Sequence, residues 1–195
     1  MKRIKLEEIE IKKLFSRVDI EDRIKVMARE IATDYSNEAK SSKFKLVLVG
    51  ILNGAVPFIG DLARELSNYF PVGSIEIDFI AISSYKGTKS GPVKLEKDTK
   101  SPLSGKHVVV IEDIIDTGKT LREVTRILLA KNPASLRVCV LIDKHRAVSR
   151  EIDIHYVGFT VVGNKWVIGY GLDLNGIGRE LPFIGYLSGT FNLAH

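Results

Sequence analysis

Three short runs dominated by Val, Leu and Ile, Phe44–Gly50 (FKLVLVG), His107–Glu112 (HVVVIE) and Ser135–Asp143 (SLRVCVLID), are separated by segments long enough to form helices. A strand with one wet face alternates apolar and polar residues, whereas a strand covered on both faces reads as a continuous apolar run. Buried strands joined through helices form right-handed crossovers, so the pattern predicts an α/β fold: a parallel, twisted sheet with helices on both faces. At 195 residues and 45% hydrophobic content, the chain has the size and apolar fraction of a single domain, residues 1–195.

The connecting segments fit this frame. From Ser16 to about Asn37, Ile20, Ile24, Met27, Ile31 and Tyr35 recur at steps of three and four, and Ser16 with Asp19 has the pattern of a capping box. Leu52-Asn53-Gly54 reads as a turn, Val56 to Tyr69 as a second amphipathic helix, and Ser74 to Ser83 as a strand entering the sheet interior. Tyr85 to Gly105 is rich in Lys, Gly, Ser and Thr. A break this long inside a domain reads as an active-site lid over about 84–105; a disordered insertion or an exposed hairpin is the alternative. From Ile154 onward, short strands are punctuated by glycines, which predicts a small carboxyl-terminal hood over about 154–195.

Several classes of function are disfavoured. No apolar run approaches the roughly 18–20 residues of a membrane-spanning helix, and the amino terminus lacks the apolar core of a secretory signal, so the expected setting is the cytoplasm. Cys139 stands alone and cannot form an intrachain disulfide, and the histidines at 107, 145, 155 and 195 lack zinc-ligand spacing. The net charge of +5 suits an anionic ligand or a nucleic acid and does not choose between them.

The decisive segment is Val108–Val124, VVVIEDIIDTGKTLREV. A triphosphate-binding loop needs a glycine five residues before the glycine of Gly-Lys-Thr; that position is Asp113, preceded by Glu112. Two carboxylates there repel a triphosphate. Thr117, Gly118, Lys119 and Thr120 instead open a helix, where unpaired amides and the helix dipole favour a phosphate monoester. Glu112 and Asp113 are suited to accept hydrogen bonds from adjacent hydroxyls or to hold a hard cation through water. Asp116 stands between the two groups. Phosphate, diol and metal sites on one segment outline a ribose 5-phosphate.

The string Val109–Leu121, VVIEDIIDTGKTL, resembles the 5-phosphoribosyl 1-diphosphate motif of type I phosphoribosyltransferases, most closely their hypoxanthine-guanine branch. Leu52-Asn53-Gly54-Ala55 resembles the first-strand loop that meets the diphosphate, where the family uses a non-proline cis peptide. Many members carry Lys or Arg at the position of Asn53, whose side chain has no charge to pair with the diphosphate. Ser84 and Tyr85 match the start of the family's flexible catalytic loop, and Arg179 matches an arginine that reaches the diphosphate. By resemblance, Lys144 recognises the purine 6-oxo group. Lys165-Trp166-Val167 with Gly169-Tyr170-Gly171-Leu172-Asp173 matches the hood, where an aromatic ring stacks on the base. Ile114, Lys144, Trp166, Val167 and Asp173 are the expected purine-binding residues.

The resemblance implies transfer of the 5-phosphoribosyl group to N9 of hypoxanthine or guanine, with release of diphosphate. Mg²⁺ is the implied cofactor, with Glu112, Asp113 and Asp173 as candidate ligands, and Asp116 is the candidate general base. The implied partners are small-molecule substrates and a second or further copy of the chain, as homodimer or homotetramer, with no nucleic acid or membrane. On the residues alone, Lys144 could be a solvated strand-end lysine, Trp166 a core aromatic, Asp173 a turn residue, and Glu112 and Asp113 water-facing carboxylates. A regulator that senses the sugar diphosphate and binds nucleic acid is the rival function.

Overall fold

A computed structural model describes residues 10–84, 93–145, 152–163 and 165–188. The strands are β1 (Glu10–Phe15), β2 (Leu46–Ile51), β3 (Ile75–Ser84), β4 (Val93–Lys97), β5 (His107–Ile115), β6 (Ser135–His145), β7 (Tyr156–Val162), β8 (Val167–Ile168) and β9 (Ile184–Ser188). The α-helices are α1 (Arg17–Asp34), α2 (Val56–Leu66) and α3 (Lys119–Leu129).

The main sheet has the order β4-β3-β2-β5-β6-β7 and is parallel from β3 to β7. Alternation along the strands fills two separate cores. Leu46, Leu48, Val109, Ile111, Cys139 and Leu141 join α1 and α2 on one face, whereas Val47, Val49, Val108, Val110, Val138 and Val140 join α3 on the other. Both sets are essentially solvent-free, which is why these strands show no polar alternation in sequence. The capping box at α1 is present: the Ser16 amide donates to Asp19 Oδ2 at 2.7 Å, and the Asp19 amide donates to Ser16 Oγ at 3.2 Å.

The order of strands locates a crevice. From β2 the chain moves outward to β3 and then returns across β2 to β5, so connections leave β2 and β5 in opposite directions. In open α/β sheets ligands bind at the carboxyl ends of the strands flanking such a reversal. Here those ends are Leu52–Gly54 and Glu112–Thr120.

Three expectations gain detail from the structure. The stretch read as a polar lid over about 84–105 contains β4, antiparallel to β3 at the sheet edge. An edge strand needs backbone partners rather than apolar side chains, so Lys94, Leu95 and Glu96 remain exposed. The chain beyond β4 is fastened as well: buried Asp78 accepts the amides of Lys100 and Ser101 at 2.7 and 2.8 Å. Tyr85 lies outside the described residues. Second, the hood does not begin at 154, because β7 pairs with β6 as the last strand of the main sheet. Third, the hood is not built from the carboxyl-terminal part alone. Its antiparallel sheet is β1-β9-β8, and β1 comes from the amino-terminal region. Phe15 at the end of β1 stacks on Phe159 of β7, with ring centroids 4.0 Å apart.

Candidate active site

The end of β5 carries the acidic pair. Glu112 is 7% exposed, and Asp113 is partly buried beside it. Burial, and after it the Asp113 carboxyl, push Glu112 well above the ordinary carboxylate range. Burial raises Asp113 too, against opposing contributions from the Glu112 hydrogen bond, the Ile114 amide at 2.8 Å and the charge of Arg179. Two adjacent carboxyls in a dry setting cannot both ionise at low cost, so the pair holds a proton to higher pH than an isolated carboxyl would.

The sign of the resulting pH dependence follows. Because Glu112 is raised above its usual 4.5, its contribution to stability is complete below that value and is lost as pH rises through the raised folded value. Urea denaturation of the ligand-free protein from pH 4.5 upward should record this loss. Glu112→Gln, which mimics the protonated acid, should flatten that limb. Superimposable pH profiles for the two proteins would remove the pair as its cause.

Beyond the pair, Glu112, Ile114 to Leu121 line a cleft of about 130 Å³. Gly118 adopts φ 76°, and α3 starts at the next residue. The left-handed turn lets the chain reverse from strand to helix within Asp116–Gly118, leaving first-turn amides of α3 at the cleft. Thr117, Lys119 and Thr120 are exposed there, while Asp116 is partly buried. These are the residues expected from the sequence to cradle a phosphate, and they line this cleft.

The loop after β2 closes the site from the other side of the crevice. Its Leu52–Asn53 peptide is cis, as the resemblance implied. A Cβ on Gly54 would lie 1.7 Å from Asp113 Oδ2, so this backbone is pressed against the acidic pair. Leu52 is partly buried and Asn53 exposed. The hood loop then packs on Gly54: a Cβ on Gly171 would lie 2.0 Å from the Gly54 carbonyl oxygen. Arg179 donates to the Gly171 carbonyl at 2.5 Å and pairs with Asp173 Oδ1 at 2.6 Å. Asp173 Oδ2 accepts the Gly176 amide, and the Trp166 indole approaches the Asp173 carbonyl at 3.4 Å.

Lys144, 9% exposed, lies one residue beyond the Ile115–Asp143 pair of the β5–β6 ladder, at the level of the cleft. Val167 is buried in β8, and Trp166 is 40% exposed. The structure thus gathers Glu112, Asp113, Gly54, Gly171, Asp173 and Arg179 into one contact chain, with Asp116–Thr120 and Lys144 at neighbouring strand ends. It leaves Asn53 facing outward, and Tyr85 is outside the described residues. Gly171 was quoted in the sequence only as part of a matched string; its role in seating the hood on Gly54 needed the tertiary contact.

The donor set suits a hard cation shared with a ligand. Among the described residues no group of three or more His, Cys, Asp or Glu is arranged to hold a metal. Mg²⁺ commonly takes one or two carboxylates and completes its shell with water and phosphate oxygens. The Glu112–Asp113 pair and the Asp173 side chain are compatible with that mode.

Comparison with known proteins agrees with this geometry. Residues 15–175 match the family model described as a phosphoribosyl transferase domain. The chain is 38% identical over 176 residues to the hypoxanthine-guanine phosphoribosyltransferase of Dictyostelium discoideum, covering 89% of this chain and 93% of that protein. It is 40% identical over 176 residues to the hypoxanthine-guanine-xanthine phosphoribosyltransferase of Tritrichomonas foetus, with 89% and 90% covered. Among solved structures, the hypoxanthine phosphoribosyl transferase of Trypanosoma cruzi superposes with a TM-score of 0.83 at 37% identity, covering 93% of each chain.

Proposed function

This chain belongs to the phosphoribosyl transferase family, and on that premise we propose that it is a purine-salvage enzyme that transfers the 5-phosphoribosyl group of 5-phosphoribosyl 1-diphosphate to N9 of hypoxanthine or guanine. The observation that carries the reading is the union, at the β2–β5 crevice, of a buried carboxyl pair with an amide-lined helix start. One end suits vicinal sugar hydroxyls and the other a 5-phosphate.

In the reaction the bond from the anomeric carbon to the diphosphate oxygen breaks, the bond to purine N9 forms, and the purine loses a proton. Thr117–Thr120 hold the 5-phosphate, and Glu112 and Asp113 accept the ribose hydroxyls. The backbone of Leu52, Asn53 and Gly54 and the guanidinium of Arg179 face the diphosphate. Asp116 takes the N7 proton. Lys144 donates to the 6-oxo group, while Ile114, Trp166, Val167 and Asp173 enclose the base. Mg²⁺, held by Asp173 and through water or sugar oxygens by Glu112 and Asp113, would neutralise the leaving diphosphate.

The test is a spectrophotometric assay with Mg²⁺ and 5-phosphoribosyl 1-diphosphate against hypoxanthine, guanine, xanthine and adenine in turn. Turnover of a 6-oxopurine with none of adenine is expected, because an ammonium donor facing the 6-amino group leaves a buried donor without an acceptor. Lys144→Met should lower kcat/KM for the 6-oxopurine about 10- to 100-fold, the size of a hydrogen bond to a charged donor. Efficient use of adenine by the wild type would dismiss Lys144 from this role.

No described helix is long and apolar enough to cross a membrane. The reading places the enzyme in the cytoplasm as a homodimer or homotetramer, and light scattering of the purified protein would test the assembly.

A further inference from the structure

Tyr170 has an unusual backbone for an aromatic residue. Its φ is 50°, between Gly169 at 99° and Gly171 at 96°. Glycine visits this region freely, but a bulky side chain there is uncommon and persists when its surroundings hold it. The holding contacts are identifiable. The Tyr170 amide donates to the Leu181 carbonyl at 2.9 Å, and the side chain is buried at 9% exposure. Its hydroxyl donates to Asp61 Oδ2 on α2, whose other oxygen takes Arg64. Burial first, and then the Asp61 bond, push the phenol far up, so it stays a donor throughout the working pH range.

The hood loop therefore touches the β2–α2 unit at two places. Gly171 rests on the Gly54 carbonyl just before α2, and Tyr170 reaches Asp61 inside it. Six residues separate Ala55 from Asp61, about 9 Å at the helical rise of ~1.5 Å per residue. One contact would leave the loop free to pivot on Gly54. Two contacts, one just before α2 and one within it, fix its tilt, and with it the placement of Asp173 and Arg179 relative to Leu52–Gly54.

We propose that Tyr170 is a positioning residue for the sugar diphosphate, acting through Asp61 to hold the Asp173–Arg179 loop in register with the loop after β2. The inference rests on the functional reading above. It concerns affinity for the diphosphate substrate rather than proton transfer, because Asp116 directly follows β5 and Lys144 sits on β6, and neither is fastened by this bond.

Tyr170→Phe keeps the ring and deletes the donor. Kd for 5-phosphoribosyl 1-diphosphate with Mg²⁺, measured by calorimetry, and its KM should both rise about three- to tenfold, the value of one such hydrogen bond. Purine KM and kcat should stay within about twofold. Asp61→Ala should reproduce the effect, and the double variant should add little to either single change, since one bond is lost in each. Arg64→Ala, which spares the bond, should bind normally. A lowered melting temperature with unchanged Kd, or fully additive effects, would overturn the proposal. If Tyr170→Phe fails to fold, Asp61→Ala alone decides: its carboxylate is 34% exposed and its removal leaves no buried void. Wild-type turnover tests the enzyme reading separately, because the Kd comparison does not depend on catalysis.

Discussion

Asp116→Asn should bind 5-phosphoribosyl 1-diphosphate almost as the wild type does and turn over about 10²- to 10⁴-fold more slowly. The substitution is nearly isosteric and keeps the short polar side chain just before the cradle, so the Thr117–Thr120 turn and Gly118 geometry are retained. What is lost is the ability to accept a proton. Asp116 lines the same cleft as Ile114 and Thr117–Leu121, and the neighbouring strand end across the β5–β6 ladder carries Lys144. The loss should therefore fall on kcat and kcat/KM together, the sign of an interaction made only in the transition state. Single-turnover kinetics with saturating substrates would separate this from slow product release. A variant turning over at the wild-type rate would remove Asp116 from the proton path.

Gly171→Ala should produce a large loss of stability. Its φ of 96° is one that side-chain-bearing residues rarely adopt, and the added Cβ would meet the Gly54 carbonyl oxygen at 2.0 Å and its carbon at 3.1 Å. Both obstacles are backbone, which cannot swing aside as the end of a flexible side chain can. Strain and overpacking each cost about 1–3 kcal/mol, so a total of roughly 2–6 kcal/mol is expected. For a domain of this size that lowers Tm by about 4–24 °C. Because relief requires the hood loop to lift from Gly54, affinity for the sugar diphosphate should fall with stability. Gly176→Ala is the contrast: its φ is 86°, but nothing lies within 4 Å of the added carbon, so only conformational strain applies. Equal Tm losses in the two variants would show that the Gly54 contact is not what Gly171 serves.

The same residues separate what could be read along the chain from what could not. The runs at β2, β5 and β6 were legible because burial on both faces demands continuous apolar sequence, and the α1 cap because its signal spans three residues. The strand-turn-helix path through Asp116–Thr120 was legible because strand end, turn and helix start follow one another without interruption. Each is a local property, fixed by residues within a few positions of each other.

Strands β1 and β4 were not legible. β1 is charged and half exposed, and it exists because β9, more than 160 residues later, supplies its backbone partners. β4 is polar because an edge strand borrows the ladder of β3 and contributes little to a core. The assembly of the site has the same origin. Sequence determined which carboxylates, amides and turn glycines this protein owns. Only the tertiary structure decided that Gly54 presses on Asp113, that Gly171 seats the hood on Gly54, and that Tyr170 reaches Asp61. Close approach between segments more than 50 residues apart leaves no periodic trace in either segment, since its cost and benefit arise only when both are folded.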